Sequence, residues 1–132
     1  MENIMFVVKS AFGGICAVIA YLFGGTDTLF TALLAMVALD YVSGLLVAVY
    51  HDKVSSDVGF KGIIKKACLL LIVAISHLIG SSFGFEDIRS FVIGFFLANE
   101  AISILENVGN MGVKLPQKLM DVLEQIKGKD EK

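Results

Sequence analysis

The chain alternates long apolar stretches with short polar ones. Apolar stretches with no more than one charged residue predict transmembrane helices, because about 20 residues at about 1.5 Å each cross the hydrocarbon of a bilayer. Turn signals or polar segments separate four such stretches, the last of them the shortest. They are residues 4–24, 28–50, 67–85 and 90–105. The pattern predicts an all-α integral membrane protein with four transmembrane helices, or three if the first stretch lies on the surface or outside the membrane.

The last 20 residues show the periodicity of a different kind of helix. Their apolar positions fall on one helical face: Leu115, Leu119, Val122, Leu123 and Ile126. Pro116 suits a first turn and Gly128 marks an end, which predicts an amphipathic helix of about 12 residues. It lies either on the membrane surface or against a neighbouring subunit. The chain thus divides into a helical membrane domain, residues 1–112, and an amphipathic helix with a charged cytoplasmic tail, residues 113–132.

Composition supports the membrane class and excludes others. Of the 132 residues, 56% are hydrophobic, more than a soluble domain of this length can bury. The net charge of −2 argues against a nucleic-acid partner. Cys16 and Cys68 lie in apolar stretches and are predicted to be buried thiols. Because no catalytic or metal-binding motif is present, we expect a protein that is not an enzyme and needs no cofactor or metal.

Basic residues predict the orientation in the membrane. With four spans, one side holds ten of the 11 basic residues and the other holds only Arg89. Because positive charge accumulates on the cytoplasmic side, both termini are predicted to be cytoplasmic. The polar segment 51–66 is interpreted as the central cytoplasmic loop. The residues expected to set the topology there are Lys53, Lys61, Lys65 and Lys66.

Ionisable side chains inside the predicted spans are the strongest candidates for function, because a charge at the bilayer centre costs several kcal/mol. Asp40 and His77 both lie about 15 Å from the predicted cytoplasmic ends of their spans. We therefore hypothesise that they meet, within one subunit or across two. The alternative is a neutral His77 imidazole bonded to a backbone carbonyl.

Glu100 lies in the fourth span, about 9 Å from the predicted cytoplasmic end of that span. Lys65 and Lys66 end the preceding predicted span and are within reach of Glu100. We interpret this arrangement as a polar clamp between helices. The candidate intramembrane polar and oligomerisation residues are Asp40, His77, Asn99, Glu100 and Glu106.

Small residues recur at a spacing of four in three of the spans. Such stripes let helix backbones approach closely in lipid, and they predict tight packing within one chain or between chains. The candidate packing residues are Gly44 and Ala48 beside Asp40, then Ser76, Gly80 and Gly84, and then Ser90, Gly94 and Ala98.

Four segments carry a family resemblance. They are LDYVSG at 39–44, SSDVGFKGIIKK at 55–66, NEAISILEN at 99–107 and MGVKLP at 111–116. With them, residues from about 40 to 123 resemble the toxin-secretion and phage-lysis holins of Gram-positive bacteria and their phages. Members of that family often have an aspartate at the end of the third span, where this chain has Gly80, Ser81 and Ser82.

The resemblance implies a function without catalysis. Holins accumulate as homo-oligomers in the bacterial cytoplasmic membrane and then form timed lesions through which an endolysin or a large toxin crosses. The implied partners are copies of the chain and the lipid bilayer, with the cargo not necessarily in direct contact. Asp40, Asn99 and Glu100 would be buried between subunits before triggering and would face water afterwards. Met1 and Met5 offer two starts, a feature that also occurs in holins.

Two other functions stay open on the sequence. One is a small oligomeric ion channel or transporter subunit, gated through the intramembrane acids. The other is a non-conducting membrane scaffold. A channel passes ions only, a holin lesion passes proteins, and a scaffold passes neither.

Overall fold

Four long helices and one shorter helix form the chain. The computed structural model describes the backbone of residues 1–131 and the side-chain surroundings of residues 1–125. The helices are α1 Glu2–Phe23, α2 Thr28–Tyr50, α3 Ser56–Phe83, α4 Asp87–Asn110 and α5 Gln117–Glu131. The first four are each long and apolar enough to cross a membrane. The prediction of an all-α, four-span membrane protein is therefore confirmed.

The helices alternate in direction, so that their turns gather at two ends of the bundle. The turns at residues 24–27 and 84–86 lie at one end, called here the Arg89 end. The turns at residues 51–55 and 111–116 lie at the other, called the Lys53 end. Each end therefore holds two turns, which bring residues distant in sequence close together.

The α1–α2 turn shows how local sequence ends one helix and begins the next. Gly24 caps α1 in the left-handed conformation, with φ 80°, where glycine is favoured. A side chain there would also collide with its surroundings, since a Cβ would lie 2.6 Å from His77 Nδ1 and 2.8 Å from Arg89 Nε. Asp27 then caps α2, because its carboxylate accepts a hydrogen bond from Phe30 N at 3.0 Å.

Several helix bounds differ from those predicted. α3 begins at Ser56, not at residue 67, because the segment taken for a loop carries enough apolar side chains to continue a helix: Val58, Phe60, Ile63 and Ile64. α4 continues to Asn110 instead of 105. α5 passes through Gly128, so the predicted end there is wrong. It contacts α4, and the Ile126 side chain and the charged tail 127–132 fall outside the described side-chain surroundings.

The buried core lies where α2, α3 and α4 meet. Its buried side chains are Phe30, Leu33, Leu69, Val73 and Ile93. Helix α1 has no buried residue; it packs mainly against α3, and the Phe23 ring at its end stacks on Phe30 of α2. The many exposed apolar side chains are compatible with a membrane fold, since lipid is as apolar as the side chains themselves. For the same reason Cys16 and Cys68 need no protein cover, and both are exposed; the prediction of buried thiols is wrong.

The three small-residue stripes have different environments. Ser76 and Ala98 are buried, Ala48 is half-buried, Ser90 is exposed, and Gly44 faces the Asn107 amide. Gly80 and Gly84 have a role at the end of α3. Gly84 caps α3 with φ 77°, and Phe85 N donates to Gly80 O at 2.8 Å. Within one chain this pair therefore forms a helix end.

Gly80 and Gly94 offer a matched test of close backbone approach. A Cβ on Gly80 would lie 2.5 Å from the Phe85 carbonyl oxygen, whereas a Cβ on Gly94 would have no atom within 4 Å. We expect Gly80→Ala to destabilise the fold by about 1–3 kcal/mol, because backbone must move. Gly94→Ala should be neutral or slightly stabilising. Thermal unfolding in detergent micelles measures both, and equal midpoints would contradict the tight turn.

Candidate functional site

Three charged side chains meet inside the bundle, one from each core helix. The Lys66 ammonium of α3 contacts the Asp40 carboxylate of α2, and it lies 2.5 Å from Glu100 Oε2 of α4. Asp40 is 8% exposed and Glu100 is 3% exposed. Each of the three lies ten residues from its helix terminus at the Lys53 end, a depth of about 15 Å. This charged cluster, Asp40, Lys66 and Glu100, is therefore near the middle of the spans.

Neutral polar groups complete the charged cluster. Asn107 Nδ2 donates to Asp40 Oδ1 at 3.3 Å and to Ser43 Oγ at 2.9 Å. Ser43 Oγ in turn donates to the Asp40 carbonyl oxygen at 2.9 Å. Two carboxylates share a single ammonium, so the cluster carries a formal charge of −1 when every group is ionised. The Asn107 amide and the Lys66 ammonium together supply the donors that buried carboxylates require.

The structure brings some of the candidate polar residues together and separates others. Glu100 and Lys66 meet within one chain. The amide in the charged cluster's surroundings is Asn107, which bonds to Asp40; Asn99 of the same motif is half-buried. Glu106 is exposed on α4 and does not belong to the cluster. The expectation that Asp40 and Glu100 are buried between subunits is therefore not needed to explain their burial.

The hypothesis that Asp40 meets His77 within one chain is wrong. His77 lies at the Arg89 end, beside Gly24. The error follows from the start of α3, because a helix beginning at Ser56 places Lys66 at the depth of Asp40. Lys66 consequently sits between two carboxylates instead of facing the membrane surface as a topology signal. Lys53, Lys61 and Lys65 remain exposed, Lys53 in the turn at the Lys53 end and Lys65 directly before Lys66 on α3.

A groove between α2 and α3 leads from the Lys53 end to the charged cluster. Its volume is about 470 Å³. Small residues open it, among them Gly44 on α2 and Gly59 and Gly62 on α3. The Tyr41 hydroxyl crosses it and donates to the Gly59 carbonyl oxygen at 3.4 Å. This Lys53 groove brings Asp40 and Lys66 within reach of water from one membrane surface.

A second polar site joins the helices at the opposite end. Arg89 is 8% exposed, and its Nε donates to the Phe23 carbonyl oxygen at 2.6 Å. Its two terminal nitrogens donate to the two carboxylate oxygens of Asp27 at 2.9 and 3.0 Å. The start of α4 is thereby fastened to the end of α1 and the start of α2. We call this group, Phe23, Asp27 and Arg89, the Arg89 latch.

Electrostatics favours the charged form of the Arg89 latch. The hydrogen bond from Arg89, together with that from Phe30 N, lowers the pKa of Asp27 to about 2. His77, Ser81 and Glu86 line a small cavity of about 200 Å³ beside the guanidinium. Sequence reasoning missed this latch. Two features of the sequence could have indicated the latch: Asp27 lies at a predicted turn, and Arg89 is the one basic residue predicted on its side of the membrane.

The arrangement does not resemble a catalytic or metal centre. Throughout the part of the chain that the structure describes, no group of three or more His, Cys, Asp or Glu side chains is placed to hold a metal ion. What the charged cluster does is hold three spans together by ionic contacts inside the membrane. Such a group is costly to bury and sensitive to any change in its access to water.

Fold and site together define a small multi-pass helical membrane protein with a charged group buried between its spans. Residues 17–128 match the sequence model of the bacteriophage holin family. The chain therefore belongs to the bacteriophage holin family.

Relatives cover most of the chain. An uncharacterised protein of Listeria innocua is 45% identical over 118 residues, which span 89% of this chain and 84% of the relative. An uncharacterised 14.9 kDa protein from the nagH 3′ region of Clostridium perfringens is 30% identical over 131 residues, spanning 98% and 99%. An uncharacterised Bacillus subtilis protein is 30% identical over 112 residues, spanning 84% and 79%. No solved structure matches the chain.

Proposed function

We propose that this protein is a holin that accumulates as a homo-oligomer in the bacterial cytoplasmic membrane and then forms timed lesions. An endolysin, or a large toxin, crosses through them, and host lysis or toxin release follows. The observation that carries the proposal is the charged cluster at mid-membrane depth in a chain of the bacteriophage holin family. The role requires no catalysis and no cofactor.

The charged cluster suits a protein with two alternative states. Burying charges in a low-dielectric interior costs free energy that their mutual attraction only partly offsets. While α2, α3 and α4 stay packed, Lys66 holds Asp40 and Glu100 out of water. If the helices part, hydration of these groups favours the open arrangement. The equilibrium between the two arrangements is then set by small free-energy differences.

The Lys53 groove supports the same proposal, because it offers water a route to the cluster without complete separation of the helices. The proposed orientation places both termini and the Lys53 end in the cytoplasm. Lys53 is exposed there and Lys61 is exposed on the first part of α3, whereas Arg89 at the opposite end is paired with Asp27. This distribution of basic residues follows the positive-inside rule.

Inducible expression in a bacterial host tests the proposal. Membrane potential and release of a cytoplasmic reporter enzyme are followed together, with and without a co-expressed muralytic enzyme. A holin lets growth continue for minutes and then stops it abruptly, with release of protein-sized cargo. Depolarisation without such release would replace the proposal with an ion channel or transporter subunit. No effect from membrane-inserted protein would replace it with a scaffold.

The same assay tests the role of the charged cluster. Glu100→Gln leaves one carboxylate facing one ammonium, which removes the excess charge whose hydration favours opening. We expect a later onset of lysis for Glu100→Gln and for Asp40→Asn at equal membrane abundance. Glu106→Gln is the matched control, since Glu106 is an exposed acid on the same helix. If Glu100→Gln and Glu106→Gln delay the onset of lysis equally, the charged cluster does not set the timing of lysis.

A further inference from the structure

The Lys53 groove has a feature that lesion formation does not explain. It is an open space of about 470 Å³ that runs from the Lys53 end between α2 and α3. Small residues line it, notably Ala48 on α2 and Gly59 and Gly62 on α3, and the Tyr41 side chain lies against the two glycines. In a bilayer, such a space between helices has to be filled by water, lipid or another chain.

The walls of the groove are mainly apolar near its mouth. Leu45 on α2 and Val54 and Val58 beside the α2–α3 turn line it, and all three are exposed in the isolated chain. Water alone would leave these side chains poorly covered. An occupant with an apolar portion would remove them from water, which is favourable by the hydrophobic effect.

The charged residues that line the groove indicate that its occupant is an anion. Three lysines and one aspartate line the groove. Lys66 and Asp40 belong to the charged cluster, and within the described residues the ion pairs engage Lys66 and Arg89. Lys53 and Lys65 therefore line the groove, and among the described residues neither makes a salt bridge. Ser55, which makes no side-chain capping bond in this structure, adds a hydroxyl at the mouth.

We propose that the Lys53 groove binds an anionic phospholipid, with its phosphate headgroup at Lys53 and Lys65 and acyl chain along the apolar wall. Basic pockets between transmembrane helices are suited to such headgroups. A soluble anion would satisfy the two lysines but would leave Leu45 and Val58 uncovered. A lipid bound near the mouth would limit the water route to the charged cluster while it stays there, but its binding depends only on the packing of α2 against α3.

Lipid retention by the purified full-length protein tests the site. The protein is placed in nanodiscs of equal parts phosphatidylcholine and phosphatidylglycerol, and the lipids that stay bound are counted by native mass spectrometry. Wild type should retain phosphatidylglycerol in preference to phosphatidylcholine. Lys53→Ala/Lys65→Ala should weaken this preference about tenfold, since each lysine contributes to the attraction of an anionic headgroup.

Two further variants separate a built site from general surface charge. Lys61→Ala/Lys114→Ala removes the same charge from exposed lysines that do not line the groove, and it should leave the preference unchanged. Ala48→Phe fills the groove without altering charge and should reduce retention. Equal losses for the two double variants would overturn the site, as would unchanged retention in both Lys53→Ala/Lys65→Ala and Ala48→Phe. Because no step measures lysis, a failure here leaves the proposed function standing.

Discussion

Replacing Lys66 with methionine is expected to destabilise the helix bundle by about 3–5 kcal/mol. The ammonium is the shared partner of Asp40 and Glu100, which are 8% and 3% exposed. Without it, two buried carboxylates face each other with no cation between them. They must then repel, take up protons or draw in water, and each course costs free energy. Thermal unfolding in detergent micelles and the yield of membrane-inserted protein measure the loss.

Two variants make the Lys66 result specific. Lys61→Met removes an exposed lysine from the same helix and should change stability by no more than about 0.5 kcal/mol. The neutral set Asp40→Asn, Lys66→Met and Glu100→Gln should recover most of the loss, since no buried charge then lacks a partner. If Lys66→Met unfolds like Lys61→Met, Lys66 does not hold the core helices together.

Truncation of Arg89 is expected to free α1 from the rest of the bundle. Arg89→Ala removes the hydrogen bond to the Phe23 carbonyl and both bonds to Asp27. A hydrogen bond from a charged donor is worth about 1.5–3 kcal/mol, though solvent screens the Asp27 pair because that side chain is 51% exposed. Because α1 has no buried residue, only its contacts with α3 and the stacking of Phe23 on Phe30 would then hold it in place among the described residues.

The chain's own two cysteines report on α1. Cys16 on α1 and Cys68 on α3 are both exposed and accept spin labels without further substitution. The distance distribution between the labels should broaden in Arg89→Ala. Arg89→Lys should lie between Arg89→Ala and wild type, because one ammonium cannot make the two parallel bonds to Asp27. Identical distributions in wild type and Arg89→Ala would show that the latch does not position α1.

The pH dependence of the Arg89 latch has a defined sign. Arg89 lowers the pKa of Asp27 from 3.8 to about 2, so ionised Asp27 contributes stability that is fully present above pH 3.8. The contribution declines progressively as pH falls below 3.8 and is gone once pH has fallen through about 2. The label distances in wild type should therefore stay unchanged between pH 7 and pH 5. A broadening over that interval would show that ionised Asp27 does not account for the pH dependence of the latch.

The agreement between sequence and structure is uneven along the chain, and the polar segment before Lys66 shows why. Residues 51–66 look like a loop because lysines, glycines and serines cluster there. In three dimensions most of that segment is the first part of α3, with its lysines distributed around the helix. α3 begins eleven residues earlier than predicted. For that reason Lys66 lies in the middle of the bundle and not at the predicted membrane surface, and His77 lies far from Asp40.

Hydropathy alone determined the class of protein. Four stretches of the required length and apolar character predict four spans wherever their side chains point, because the requirement comes from bilayer thickness. The cost of an intramembrane charge likewise marks Asp40 and Glu100 as residues that need polar partners inside the membrane. Family membership also depends on sequence, through residues 17–128.

Only the tertiary structure decided which polar partners Asp40 and Glu100 have. Lys66 is 26 positions from Asp40 and 34 from Glu100, and Arg89 is 62 from Asp27. Contacts over such separations depend on where each helix begins, how it is rotated and which helix packs beside it. A hydrophobic pattern specifies none of these in a membrane, since lipid accepts an apolar face as readily as protein does. The sharing of one lysine between two acids is therefore a property of the packed helices.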